Sequence, residues 1–167
     1  MFRSRSNFPI DKLLKGAVAG FIGTGPMTAS MIVGWRLLPA QEKYPLPPRQ
    51  ITSEVAERLG IDDHMSKGEL TATTLISHFG YGALFGSLYG LLNENVRLQP
   101  SIKGILAGIA LWIGSYLGWL PAIGILPPAT RHPWRRNMLM IIAHVVWGAT
   151  MGMVFKKLNS EKKYLKL

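Results

Sequence analysis

The stretch that decides the fold is Thr71–Leu92, TATTLISHFGYGALFGSLYGLL, which runs for 22 residues without a formal charge. At a rise of about 1.5 Å per residue, a helix of this length spans the ~30 Å hydrocarbon core of a bilayer. One ionisable residue, His78, lies in its first half. The stretch therefore predicts a transmembrane helix that carries a histidine inside the membrane.

Three further blocks of the chain are equally long and uncharged. They are Gly16–Trp35, Gly104–Pro128 and Asn137–Phe155, and with Leu70–Leu92 they make four spans. The whole chain has a mean hydropathy of +0.18 and only 17% charged residues. A chain of 167 residues is the size of one domain. We therefore predict an all-α, polytopic membrane protein that forms a single membrane domain over residues 1–167.

A nine-residue pattern occurs twice in these spans. Residues 78–86 (HFGYGALFG) and 144–152 (HVVWGATMG) both read H-x-x-aromatic-G-A-x-x-G, and residues 15–20 (KGAVAG) correspond to residues 103–108 (KGILAG). A Leu-Pro pair ends both first spans at the same distance. We predict two helical hairpins of the same orientation, at about 12–92 and 100–156, related by an axis along the membrane normal.

Glycines recur at four-residue spacing in all four spans, which favours close helix–helix contact. We predict packing roles for nine of them: Gly16, Gly20, Gly82, Gly86, Gly90, Gly104, Gly108, Gly148 and Gly152.

The two hairpins differ mainly in the loop at residues 39–69. Within it Ile51, Val55 and Leu59 fall at i, i+4 and i+8, and Gly60 follows as a helix C-cap. This pattern predicts a short amphipathic helix that lies on the outer membrane surface or across the mouth of the bundle. The run Asp62–His64 has metal-ligand chemistry, but three adjacent residues of this kind are typical of a solvated turn, and we predict no metal site.

The net charge of +10 follows the topology rather than a nucleic-acid surface. Eleven basic and three acidic residues lie on the side of the two termini, including the basic tail at 157–167, against eight basic and six acidic residues on the other side. The positive-inside rule therefore predicts cytoplasmic termini. Basic flanks of this kind attract anionic lipid headgroups, so we expect membrane lipid as a partner and no nucleic acid.

Three of these features together resemble a known protein family. The opening at Gly16–Thr28, the PPRxI segment at Pro47–Ile51 and the two histidine helices resemble the YagU-like bacterial inner-membrane proteins. The resemblance covers most of the chain. It implies a small multi-span protein of the inner membrane from a largely uncharacterised family, and it brings no catalytic residues.

His78 and His144 are the candidate functional residues, because ionisable side chains inside spans are usually functional. Two opposed imidazoles would suit a six-coordinate haem b, and one histidine per ring would suit a chlorophyll-type pigment, with Tyr81 and Trp147 at the ring edges. The alternatives are histidines that pack and hydrogen-bond between helices, or a proton or ion path. Which of these holds depends on whether the two histidines face each other, and helix rotation decides that.

We find no acid pair, nucleophile–base arrangement or phosphate loop, so we expect no enzyme. The absence of cysteine excludes disulfides and thiolate-ligated metals. The leading hypothesis is a non-enzymatic protein that acts by helix association, as a homo-oligomer or as an accessory subunit of a membrane complex. The runner-up is a haem- or pigment-binding electron-transfer protein, and the third is a small transporter or ion pathway.

Overall fold

The computed structural model describes the backbone of residues 9–92 and 98–164 and the side chains of residues 10–92 and 98–160. Within these ranges the chain is helical and contains no strand. The helices are α1 (Pro9–Leu37), α2 (Pro47–Arg58), α3 (Lys67–Leu92), α4 (Pro100–Ile113), α5 (Leu120–Ala122) and α6 (Trp134–Tyr164), with short 3-10 turns at Ala40–Glu42, Asp62–His64 and Ala129–Arg131.

Four helical segments are long and apolar enough to cross a membrane: Ile10–Leu37, Lys67–Leu92, Pro100–Ala122 and Trp134–Ser160. The prediction of an all-α, multi-pass membrane protein is confirmed. Helix α6 continues through most of the predicted basic tail, to Tyr164. The basic residues Arg3, Arg5 and Arg97 lie outside the described residues.

Local sequence signals set several of the helix ends. Proline begins α2 and α4, where the missing N–H costs no helical hydrogen bond. Ser66 and Glu69 form a reciprocal capping box ahead of α3. Gly60, at φ +66°, ends α2 with N–H bonds from residues 60 and 61 to the carbonyls of Glu57 and Ala56, so the predicted C-cap is confirmed.

The four spans form two hairpins joined along one seam. Hairpin 1 is α1 with α3, and hairpin 2 is α4 and α5 with α6. Helices α1 and α6 pack against each other along their length, whereas α3 and α4 scarcely touch. In the most apolar stretch of each central span, 39% (α1) and 44% (α6) of the residues are buried. The corresponding share is 22% in each of the two outer spans. The bundle is therefore closed between α1 and α6 and open between α3 and α4.

All nine glycines assigned to packing face the other helix of their own hairpin. A Cβ atom on any of them would meet main-chain atoms of that neighbour. Because these glycines are used within the chain, they carry no argument for association between chains.

The two hairpins use their glycines in different registers. Hairpin 1 sets Gly20 against Gly82, whereas hairpin 2 sets the equivalent Gly108 against the main chain of His144, one helical turn away. The contact in hairpin 1 consequently extends to Gly90. We call the end of the bundle that carries α2 the loop end. His78 lies one helical turn nearer to the loop end than Gly82, which is level with Gly20.

The third span, predicted to extend to Pro128, is irregular and its last helix ends earlier, at Ala122. Helix α4 ends at Ile113, a π-helical segment follows at Gly114–Trp119, and α5 ends at Ala122. Pro121 explains the change, because a proline ring clashes with the carbonyl four residues earlier and a wider turn relieves that clash. Gly118 leaves helical geometry at φ −108°, ψ −108°. The span is therefore irregular beside the gap between α3 and α4.

A buried arginine closes the loop end of the seam between α1 and α6. Arg136 donates hydrogen bonds of 2.9 Å to the carbonyls of Glu42, Tyr44 and Pro45, and its guanidinium lies 3.5 Å from the centre of the Tyr44 ring. The Tyr44 hydroxyl lies 2.7 Å from Nδ1 of His132. Burial and then the positive charge of Arg136 lower the pKa of His132 below its ordinary value of 6.5. A hydrogen bond that the His132 ring donates to the Pro127 carbonyl opposes this shift.

Candidate intramembrane binding cavity

A cavity of about 130 Å³ lies between α3 and α4, in the part of the bundle nearest the loop end. Helices α1 and α6 form its back wall, and α2 covers it through Pro48, Ile51 and Thr52. The lining is mixed, with hydroxyl groups, aromatic rings and apolar side chains, and no Asp, Glu, Lys or Arg among the described residues lines it. The missing contact between α3 and α4 is thus the origin of the cavity.

The structure brings the four predicted cofactor residues to this one cavity. His78, Tyr81, His144 and Trp147 all line it. His78 and His144 lie eleven and ten residues into α3 and α6, about 16 Å from the loop end of each helix. That distance is close to the middle of a ~30 Å hydrocarbon core. The repeated motif therefore places two imidazoles around one intramembrane space.

His144 has a defined tautomer. Its Nδ1 lies 2.8 Å from the carbonyl oxygen of Met140, and because a carbonyl only accepts, Nδ1 carries the proton. The ring also meets Tyr116 edge-on at a centroid distance of 5.8 Å. The side chain is buried, so Nε2 of the neutral ring offers a lone pair in a water-poor setting. His144 is therefore arranged to accept a hydrogen bond.

His78 is less constrained than its counterpart. Its Nε2 atom is buried and, among the described residues, finds no hydrogen-bond partner. An unpaired buried polar group costs about 1–3 kcal/mol unless a ligand or water satisfies it. The two histidines also differ in their main chains, because that of His144 lies against Gly108 of the facing helix, whereas that of His78 lies one turn beyond the equivalent contact. His78 is consequently the clearest sign that something polar belongs in the cavity.

The two aromatic residues of the motif each reach the opposite hairpin. The indole N–H of Trp147 donates to the carbonyl of Gly20 at 3.0 Å, within the closed seam. The hydroxyl of Tyr81 lies 2.8 Å from that of Ser115, across the open gap. Trp147 is thus a structural bridge, whereas Tyr81 carries a polar group to the cavity wall.

A family model described as "Protein of unknown function (DUF1440)" matches residues 38–153, more than half of the chain. The chain belongs to the DUF1440 family. The match includes α2, both histidines and the π-helical segment, and it begins directly after α1. No curated protein and no solved structure matches the chain. Membership agrees with the expected uncharacterised family, and the narrower YagU-like resemblance stays a prediction.

The DUF1440 chain does not accommodate a porphyrin in this geometry. A cavity of about 130 Å³ is smaller than the ~300–1,000 Å³ of pockets for drug-sized ligands, and the bond from Tyr81 to Ser115 crosses the gap. Haem or chlorophyll ligation by His78 and His144 therefore does not fit. Among the described residues no three His, Cys, Asp or Glu side chains cluster as a metal site, and Asp62–His64 forms an exposed turn.

Sequence reasoning missed the lining residues of the irregular span, namely Ser115, Tyr116 and Trp119. The available signal was Pro121, which marks an interrupted helix without saying which side chains turn inwards. The predicted short helix of the outer loop is present as α2, but the face that it turns towards the bundle differs from the predicted one. Thr52 and Ala56 face the bundle, whereas Val55 and Leu59 are 38% and 66% exposed. The hydroxyl of Thr52 bonds to the Pro48 carbonyl, so it is buried without an unpaired group.

Proposed function

We propose that this DUF1440 chain is a non-enzymatic membrane protein that binds a small, neutral molecule in the cavity between α3 and α4. The observation that carries the proposal is the buried, unpartnered Nε2 of His78 in a cavity that His144 also lines. Convergent polar groups in an otherwise apolar pocket are typical of a ligand site. The lining contains no carboxylate or other charged group that would act on a substrate.

Filling the mouth of the cavity tests this function. Ser77 lines the cavity and is exposed, so Ser77→Trp adds a ring at the mouth at little cost to the fold. Thr73→Trp is the matched control, because Thr73 lies one turn away on α3, is exposed and does not line the cavity. Each protein is purified in dodecyl maltoside, washed and extracted, and its bound small molecules are quantified by mass spectrometry.

We expect the native chain and Thr73→Trp to retain one compound class in near-stoichiometric amount, and Ser77→Trp to lose it. Identical extracts from all three proteins, containing bulk lipid alone, would contradict the proposal.

A solute or proton pathway is the second candidate, because the π-helical segment places an interrupted span beside the cavity. The glycine contacts on the far side of the histidines favour a closed site over a through-path. Proteoliposomes loaded with a pH-sensitive dye distinguish the two: a proton flux above that of protein-free liposomes, abolished in His78→Leu with His144→Leu, would favour the pathway.

We also propose that the protein lies in the bacterial inner membrane with both termini in the cytoplasm. The basic flanks support cytoplasmic termini, and the YagU-like resemblance supports the bacterial inner membrane. Because the chain contains no cysteine, single cysteines report on sidedness without background. A membrane-impermeant maleimide applied to intact cells should label Glu57→Cys in α2 and leave Asn159→Cys near the C-terminus unlabelled; the reverse pattern would invert the orientation.

A further inference from the structure

We infer that the cavity takes the ring of a prenylated hydroquinone, with the isoprenoid tail leaving between α3 and α4 into the bilayer. This inference rests on the proposed ligand-binding function and names its ligand class. Four properties of the cavity support it: its charge, its size, its hydrogen-bonding polarity and the position of its opening.

The charge of the cavity selects a neutral ligand. No side chain among the lining residues carries a formal charge at neutral pH when both histidines are neutral. A phosphate headgroup or an ammonium group would therefore enter a low-dielectric space without a counter-charge, which costs several kcal/mol. Phospholipid headgroups and organic cations are thus unsuitable, and a neutral amphiphile is favoured.

The size and the walls of the cavity favour a single flat ring. Its volume of about 130 Å³ is near that of the ~150 Å³ protein cavity that holds benzene. Four aromatic side chains contribute to its walls: Tyr81, Tyr116, Trp119 and Trp147. Aromatic walls stabilise a ring by offset or edge-on contact. A six-membered ring fits, whereas fused ring systems exceed the space.

The tautomer of His144 selects a hydroxyl over a carbonyl. Because Nδ1 donates to Met140, Nε2 of the neutral ring is an acceptor and requires a donor from the ligand. The hydroxyl of a hydroquinone supplies that donor, and the carbonyl of the oxidised quinone does not. The buried Nε2 of His78 can take a bond of either polarity to a second ring oxygen. The site should therefore prefer the reduced ligand.

The opening of the cavity provides a route for an apolar tail. Ser77 and Trp119 line the cavity and are exposed between α3 and α4. Neighbouring side chains on the outer faces are apolar, and Ile76 and Leu117 are exposed. Such faces meet lipid in a multi-pass protein. A tail that passes between the two helices would remain in hydrocarbon.

The experiment uses the full chain in dodecyl maltoside under argon, with 2-decyl-1,4-benzohydroquinone and 2-decyl-1,4-benzoquinone as the probes, because their rings carry no substituent besides the tail. Isothermal titration calorimetry gives Kd for both, and the rise in melting temperature provides a second readout. One hydrogen bond to the ligand corresponds to about a five- to tenfold difference in affinity. We expect the hydroquinone probe to bind that much more tightly than the quinone probe.

The variants separate this inference from a general effect of the membrane environment. His144→Leu should abolish the preference for the reduced probe, whereas His64→Gln in the exposed loop should leave it unchanged. If His144→Leu does not fold, Ser77→Trp replaces it and should weaken both probes at least tenfold, with Thr73→Trp unchanged. Equal binding of the two probes, or binding unaffected by Ser77→Trp, overturns the inference.

Extracted ligands distinguish this inference from the proposed function. A retained hydroquinone or quinone that Ser77→Trp loses supports both. A retained compound of another class that Ser77→Trp loses overturns the hydroquinone and keeps the ligand-binding function. Extracts that Ser77→Trp does not change overturn both.

Discussion

The two hairpins meet at two equivalent interfaces, of which one is closely packed and the other is open. The seam between α1 and α6 and the gap between α3 and α4 each join the first helix of one hairpin to the second helix of the other. In the seam the Trp147 indole reaches a main-chain carbonyl of α1, whereas in the gap Tyr81 reaches side chains, the hydroxyl of Ser115 and the ring of Trp119. The same motif thus builds a packed interface once and a ligand-sized space once.

One pair of equivalent positions accounts for much of this difference. Gly23 lies seven residues after Gly16, and Leu111 lies seven residues after Gly104. A Cβ on Gly23 would lie 3.0 Å from the carbonyl of Trp147, which is tighter than an ordinary contact, so a larger residue there would require α6 to shift. Leu111 instead places a side chain on the cavity wall. The closed interface thus has a glycine at the position where the open interface has a leucine.

Enlarging Gly23 should have the largest effect, because it attacks the closed interface directly. Gly23→Leu drives a side chain into the main chain of α6, and overpacking against backbone should cost about 3 kcal/mol or more. Gly25→Leu is the matched control, because a Cβ there meets no atom within 4 Å. Thermal unfolding in detergent measures both; equal melting temperatures would contradict the account of the seam.

Removing the hydrogen bonds of the two motif aromatics should give a smaller and unequal effect. Trp147→Phe removes a buried bond and leaves space in the seam, which should cost about 2 kcal/mol. Tyr81→Phe removes one bond at the edge of a cavity, which should cost about 0.6 kcal/mol. Chemical unfolding of both variants checks this order, and a larger loss for Tyr81→Phe would reverse the comparison.

Acidification should loosen the loop end of the seam by the smallest amount. The pKa of His132 is lowered by burial and by Arg136, so the folded state resists a proton that the unfolded state accepts at about 6.5. Stability is therefore lost as the pH falls through 6.5, until the pH lies below the lowered pKa. A protonated Nδ1 could no longer accept from Tyr44. His132→Gln should flatten the melting temperature between pH 8 and pH 5; an unchanged slope would exclude His132 as the cause.

The architecture was predictable because its signals are long or repeated. Uncharged runs of about 20 residues give the spans, and the duplicated motif gives the pairing of α1 with α3 and of α4 with α6. Gly60 gave the end of α2 because a left-handed C-cap has a specific sequence requirement.

The cavity was not predictable, because it depends on differences between the copies. The one-turn register shift arises from whether the chain sets Gly82 or His144 against the equivalent glycine of the facing helix. The inward turn of Ser115 and Tyr116 depends on how the helix widens ahead of Pro121. The rotation of α2 buries Thr52, whose hydroxyl is satisfied by the Pro48 carbonyl of the same helix. A pattern of hydrophobic residues does not reveal such a bond. Each of these features depends on how the helices pack, which the sequence patterns do not specify.

Cysteine labelling measures the open interface most directly, because the native chain has no cysteine. Ser115 and Ala19 are 2% and 0% exposed, but only Ser115 lines the cavity. Ser115→Cys and Ala19→Cys are treated with N-ethylmaleimide in mild detergent, and the modified fraction is followed by mass spectrometry. We predict that Ser115→Cys is modified, although slowly because the cavity is poor in water, and that Ala19→Cys stays unmodified. Equal protection of both cysteines would contradict an accessible space between α3 and α4.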